Sequence, residues 1–203
     1  VHTKVRRVSR SSPPRVRCFL SSLNMCSGFT ETILCLKGHR MKKLVSLKTF
    51  VSKELPKLRK KRKKVVFTNG CFDIIHAGHV RYLTKARSLG DVLVLGLNSD
   101  SSVHSIKGPL RPIVPEGERA EVLSALSCID YVILFADPTP LKLIEAIKPD
   151  ILAKGADWAA RDIVGGDIVK SSGGRIARVT LVKGKSTTNV IKRILELHGK
   201  KPV

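Results

Sequence analysis

From residue 65 onward the chain alternates short apolar runs with stretches patterned as helices, and this constrains the fold more than any other feature. The runs at 65–68, 92–97, 131–135, 151–153 and 176–182 read as strands. The second of them, 92–97, has no polar side chain, as expected of a strand covered on both faces. Between the runs, 79–89 carries apolar residues at helical spacing and ends at Gly90, a good C-terminal cap. The segment 115–126 opens with proline and acids, as helices do. Residues 138–147 form a third helix, closed by Pro149, and 187–197 the last. Strands alternating with helices predict an α/β fold, a Rossmann-like doubly wound parallel sheet, with ligands beyond the carboxyl ends of its strands.

Upstream the pattern changes. Residues 1–40 show no periodicity, and the chain opens with Val1; the reading is a non-native or disordered extension, with translation beginning at Met41. From there Leu44, Leu47, Val51, Leu55 and Leu58 predict an amphipathic helix interrupted near Pro56. The basic run 59–64 then reads as a solvated linker, so that 41–64 precede an α/β domain over 65–203.

The formal net charge of +22 invites a nucleic-acid reading, and its distribution argues against one. Residues 1–64 hold 19 of the 38 Lys and Arg but 2 of the 16 Asp and Glu, so the remainder is only mildly basic. Aromatic residues, at 4%, leave few surfaces for base stacking. The five cysteines include no C-x-x-C pair, which disfavours a disulfide framework or structural zinc and fits reduced thiols in cytoplasm. No apolar run reaches the roughly 18 residues of a membrane span; 18–36 comes nearest and is interrupted by Asn24 and Glu31.

The chemistry is concentrated where the first strand enters the first helix, at 68–79. Gly70 permits close approach of backbone to a ligand, and the turn delivers backbone N–H groups and a helix N-terminus to one point, a natural anion site. His76 and His79, three apart, share a face, with Gly78 between them leaving room for a ligand. Two imidazoles beside a phosphate donate hydrogen bonds as charge builds there. No nearby Cys or His completes a metal set, so no protein-held metal is expected.

Gly70, Phe72, Asp73, His76, Gly78 and His79 resemble the phosphate-binding signature of the cytidylyltransferase-like nucleotidyltransferases. Segments 107–109, 111–112, 119–120, 154–158, 173–174 and 186–188 extend the similarity to the branch that makes ADP-heptose, a lipopolysaccharide core precursor, from D-glycero-β-D-manno-heptose 1-phosphate. Two positions depart from that branch: Ala156, where glycine is usual, and Trp158, where tyrosine is usual. The resemblance implies that Asn69, Gly70, Cys71, Phe72, Asp73, Gly78 and Asn98 surround the nucleotide and its phosphates. It gives His76, His79 and Lys107 the catalytic role and makes Arg111, Arg119, Asp157 and Trp158 contacts to substrate. For Arg119, among Glu116, Glu118 and Glu121, a structural ion pair is an equal alternative. Ser186, Thr187 and Thr188 cap the last helix and, by resemblance, meet the β- and γ-phosphates. Lys107 is placed in a surface loop.

The implied reaction is transfer of AMP from ATP to a sugar 1-phosphate, with magnesium carried by the triphosphate. A separate sugar kinase is expected upstream, and a homodimer is an allowed assembly. Two readings compete: a CTP-dependent transferase acting on glycerol phosphate or ethanolamine phosphate, and a nucleic-acid-binding protein driven by the basic N-terminus.

Overall fold

A computed structural model describes residues 43–157, 159 and 162–199. The readings made for residues 1–40, Met41 and Trp158 lie outside them. Strands β1 (Val65–Gly70), β2 (Val92–Asn98), β3 (Tyr131–Phe135), β4 (Ile151–Gly155) and β5 (Arg175–Val179) form one all-parallel sheet in the order β3-β2-β1-β4-β5. The central strands are largely apolar because helices cover both faces. On one face, Val66, Leu93, Leu95 and Leu97 pack with Leu83, Ala86 and Leu123. On the other, Val65, Phe67, Val92 and Val94 pack with Phe50, Leu55, Leu143 and Ile144. The doubly wound sheet expected from the alternation is the fold observed.

The amphipathic segment before the sheet forms α1 (Leu47–Thr49), a π-helical stretch (Phe50–Glu54) and α2 (Leu55–Lys60). The turn widens where Pro56 lacks the N–H that would continue the ladder: Leu55 N–H reaches back five residues to the Phe50 carbonyl. Phe50 is fully buried, so the segment belongs to the core.

The basic run is exposed along its whole length, and some of its groups are also paired. Arg59 donates to the Asp150 carboxylate at 2.6 Å and to the Lys148 carbonyl at 2.6 Å. Lys64 N–H donates to Asp91, and Lys63 pairs with the same carboxylate. Lys60, Lys61 and Arg62 stay exposed at the turn itself.

After β1, helix α3 (Ala77–Arg87) covers the sheet, and α5 (Glu116–Ala125) packs beside it. Between β2 and α5 lies α4 (Asp100–Lys107), so Lys107 ends a helix instead of lying in a loop. Its sequence, DSSVHSIK, offers too few apolar residues for a periodic signal. Helix α6 (Leu141–Ile147) is shorter at its N-terminus than the sequence predicts, and β5 ends at Val179. Helix α7 (Gly166–Ser171), six residues long and capped by Gly165, is too short to leave a period in the sequence. Helix α8 (Thr187–His198) buries none of its side chains.

Candidate active site

A cleft of about 630 Å³ opens beyond the carboxyl ends of β1, β2 and β4. From β1 the sheet runs through β2 in one direction and β4 in the other, the switch point at which doubly wound sheets bind ligands. The described residues anticipated from sequence all line this cleft except Arg119.

The phosphate loop is built tightly around its glycines, both of which line the cleft. A Cβ on Gly70 would lie 2.9 Å from the Phe72 ring, and one on Gly78 would lie 2.9 Å from the His76 ring and 3.0 Å from Lys185 Cβ. The space beside each glycine is thus already taken by the site's own side chains. Phe72 adopts φ of 44°, strained for a bulky residue. Its ring is buried and meets His79 edge-on at 5.2 Å, so Phe72 is a wedge under the loop and not a stacking surface.

His76 is the N-cap of α3, where its Nδ1 accepts the Gly78 N–H at 3.1 Å. A neutral His76 therefore carries its proton on Nε2, which is buried and has no partner. The His79 ring stacks on that of His76, with centroids 3.9 Å apart, and its Nδ1 is likewise buried and unpartnered. Buried polar atoms without partners are rare and point to a ligand that supplies them. Burial, then Lys185, lowers the His76 pKa. Burial, then His76 beside it, lowers that of His79 to about 4, against the pull of the Ile74 carbonyl. Both imidazoles are thus neutral donors in the free protein.

The His79 shift makes stability depend on pH. Between about 4 and the ordinary 6.5 the unfolded chain binds a proton that the fold refuses. Stability should be full above pH 6.5 and fall by on the order of 2–3 kcal/mol as pH drops toward 4. Urea titrations between pH 7 and 5 should show this slope, and His79→Gln should flatten it. An unchanged slope in that variant would refute a neutral buried His79.

Asp73 is fully buried at its carboxylate and accepts three donors: Arg111 Nε at 2.6 Å, Ile113 N–H at 2.9 Å and Val114 N–H at 2.8 Å. Burial pushes its pKa up, but the two backbone N–H groups and Arg111 outweigh it and hold it below the usual carboxylate range. Asp73 therefore ties the loop before α5 to the phosphate loop, and Arg111 reaches the cleft already paired.

Arg119 is not a substrate contact. Its side chain is wholly buried and donates to the carbonyls of Val114, Cys71 and Asn98 and to Asp100. It braces the phosphate loop against the end of β2. Asn98 is buried too, its amide donating to Ser102. Burial raises the Cys71 thiol pKa, which keeps it protonated and no nucleophile at neutral pH.

At the opposite wall, Ser186 caps α8 by accepting the Asn189 N–H, and Thr187 reaches the Ile74 carbonyl at 3.4 Å. Thr188 and Asp157 line the cleft and are exposed. Lys107 lines it with no hydrogen-bond or ion-pair partner among the described residues. Further cleft residues that the sequence reading leaves without a role include Tyr82, Lys154 and Lys185. Lys154 follows the last apolar residue of β4, so the rule that ligands meet strand carboxyl ends marks it. Lys185 is close to Gly78 only in three dimensions.

Neutral imidazole donors, a helix N-terminus and several cations at the switch point of a parallel sheet define a nucleotidyltransferase. The chain belongs to the cytidylyltransferase-like family, which it matches over residues 67–193. It is 59% identical over 140 residues to a protein named "Bifunctional protein HldE" from Syntrophotalea carbinolica, covering 69% of this chain and 29% of the relative. A protein of the same name from Pelobacter propionicus is 60% identical over 137 residues, covering 68% and 28%. The chain thus spans less than a third of these relatives. Among solved structures, the lipopolysaccharide core biosynthesis protein from Thermoplasma volcanium GSS1 superposes with a TM-score of 0.50 at 30% identity, over 61% of this chain and 99% of that one.

Proposed function

We propose that the chain transfers AMP from ATP to a sugar 1-phosphate, D-glycero-β-D-manno-heptose 1-phosphate, giving ADP-heptose and pyrophosphate. The carrying observation is the pair of stacked neutral histidines whose buried nitrogens lack partners in the wall of a cationic cleft. The relatives' names and the lipopolysaccharide core protein support the sugar. A phosphate oxygen of the sugar 1-phosphate attacks the α-phosphorus, the bond from that phosphorus to the β-phosphate oxygen breaks, and pyrophosphate leaves. The second pKa of a phosphomonoester is about 6, so the nucleophile is already a dianion and needs no base. Catalysis is then alignment and charge neutralisation. His76 Nε2–H and His79 donate to oxygens that gain charge, while Lys107, Lys185 and the α8 N-terminus hold the triphosphate.

Magnesium would enter on the triphosphate. Among the described residues no three His, Cys, Asp or Glu side chains gather as a metal site, and the Asp73 carboxylate is taken by N–H donors. This donor set fits a cation that would be ligated by phosphate oxygens and water and would supply charge neutralisation there. We place the reaction in the cytoplasm, with a sugar kinase supplying the acceptor; among the described residues no helix is long and apolar enough to cross a membrane.

Pyrophosphate release with four nucleotides against a panel of sugar 1-phosphates tests the assignment. ATP with the heptose 1-phosphate should turn over fastest, and EDTA should stop the reaction. A preference for CTP with glycerol phosphate or ethanolamine phosphate would replace this reading with the cytidylyltransferase one.

A further inference from the structure

The cations of the cleft are not equivalent. Arg111 is paired with Asp73. Lys107 and Lys185 are exposed, their ammonium groups still hydrated. Lys154 is half-buried at the floor, on the last turn of the sheet before Gly155. Its only polar partner among the described residues is the neutral side-chain oxygen of Asn69, at the end of β1. Burial without a carboxylate pulls its pKa down to about 8. A half-buried ammonium with no counter-charge is costly, and an apolar side chain would pack there at less expense. Such a group is retained for an anion that arrives from outside. Lysine has only donors, so Asn69 must present its oxygen to it. That leaves both Asn69 amide N–H groups without a hydrogen-bond partner among the described residues.

Position decides which anion. The groups suited to the triphosphate cluster at the N-termini of α3 and α8: His76, Lys185, Ser186 and Thr187. Lys154 and Asn69 hang instead from β4 and β1. Displacement at the α-phosphorus is in line, so the incoming and departing oxygens lie on opposite sides. The incoming phosphate therefore needs a cation apart from those that hold the triphosphate.

We propose that Lys154, together with the amide of Asn69, binds the phosphate of the acceptor and holds its attacking oxygen opposite the departing pyrophosphate. This rests on the nucleotidyltransferase reading but not on the identity of the sugar. Lys154 is on this account a substrate-binding residue that confines the reaction to phosphomonoester acceptors.

The test is calorimetric titration of the full chain, saturated with magnesium and a non-hydrolysable ATP analogue. Inorganic phosphate and the heptose 1-phosphate are the probes. Lys154→Gln should weaken both by about 10- to 100-fold, the loss expected for one charge-assisted hydrogen bond to phosphate. The affinity for the ATP analogue should change less than threefold, and Lys154→Arg should recover most of the phosphate binding. Lys154→Met should lose phosphate binding while melting no lower than the wild type, because it removes an uncompensated buried charge. Equal losses for analogue and phosphate would make Lys154 a nucleotide ligand and overturn the proposal. So would unchanged phosphate binding in Lys154→Gln, a marked drop in stability for Lys154→Met, or no phosphate binding by the wild type. If inorganic phosphate binds in a Lys154-dependent way and the heptose 1-phosphate does not bind, the proposal stands and only the sugar assignment fails.

Discussion

His76→Ala and His79→Ala should each lower kcat by about 10²–10³-fold while the protein remains folded, the loss typical of removing one preorganised donor to a developing charge. The two variants reach that result by different routes. His76 also caps α3, so alanine should cost about 1 kcal/mol of stability through the orphaned Gly78 N–H. That is small beside the effect on rate. The catalytic group of His76 is Nε2–H, because Nδ1 is engaged as acceptor. Glutamine at 76 supplies an N–H without the ring and should recover part of the rate. His79 caps nothing, and its loss removes the stacked partner of His76 and the edge contact to Phe72. If either imidazole served only as core filling, its alanine variant would lose stability and keep kcat. Steady-state kinetics at saturating magnesium-ATP, alongside melting curves, separates these outcomes. Near-normal turnover by either folded variant would remove that histidine from the mechanism.

The sheet was legible because strands buried on both faces read as continuous apolar runs, as 92–97 does, and because helices between them carry a 3.6-residue period. Helix α4 escaped because a short helix rich in serine buries only Ser102 and Val103, too little to leave a period. The cleft was legible where function depends on neighbours in sequence. His76, Gly78 and His79 are fixed by one turn of helix, and 186–188 by one cap. It was not legible where function depends on contacts far apart in the chain. Arg119 meets Cys71, 48 residues away, and Lys154 meets Asn69, 85 residues away. An arginine on a helix among glutamates has the same appearance in sequence whether it faces solvent or fills the core. The glycines were recognised as necessary, but what fills the space beside them is set by the folding back of Phe72, His76 and Lys185.

Arg119→Met should destabilise the protein by about 3–5 kcal/mol, the cost of breaking a buried charged network by removing one member. Methionine roughly matches the length of the side chain, so loss of volume contributes little. What remains is a set of acceptors without donors. The Cys71 and Asn98 carbonyls lose hydrogen bonds of 2.6 and 2.8 Å, the Val114 carbonyl loses one of 2.9 Å, and Asp100 loses its partner at 2.6 Å. Each unsatisfied buried acceptor costs about 1–3 kcal/mol, partly relieved where water enters beside Asp100, whose side chain is 37% exposed. Arg119→Lys keeps the charge but has a single nitrogen, which cannot reach all four acceptors, so it should recover only part of the loss. The damage should also appear in function. Cys71 lies in the phosphate loop, and releasing its carbonyl frees the loop that places His76 and His79. Variant protein that remains folded at low temperature should therefore show a reduced kcat as well as a raised KM for ATP. A fixed concentration of magnesium-ATP should stabilise it less than the wild type, because stabilisation by a ligand falls as its Kd rises. Urea titration of Arg119→Met with and without the nucleotide measures both terms. A free-energy change under 1 kcal/mol would show that the network is not needed for folding, and a normal kcat in a destabilised variant would show that the brace does not govern the loop.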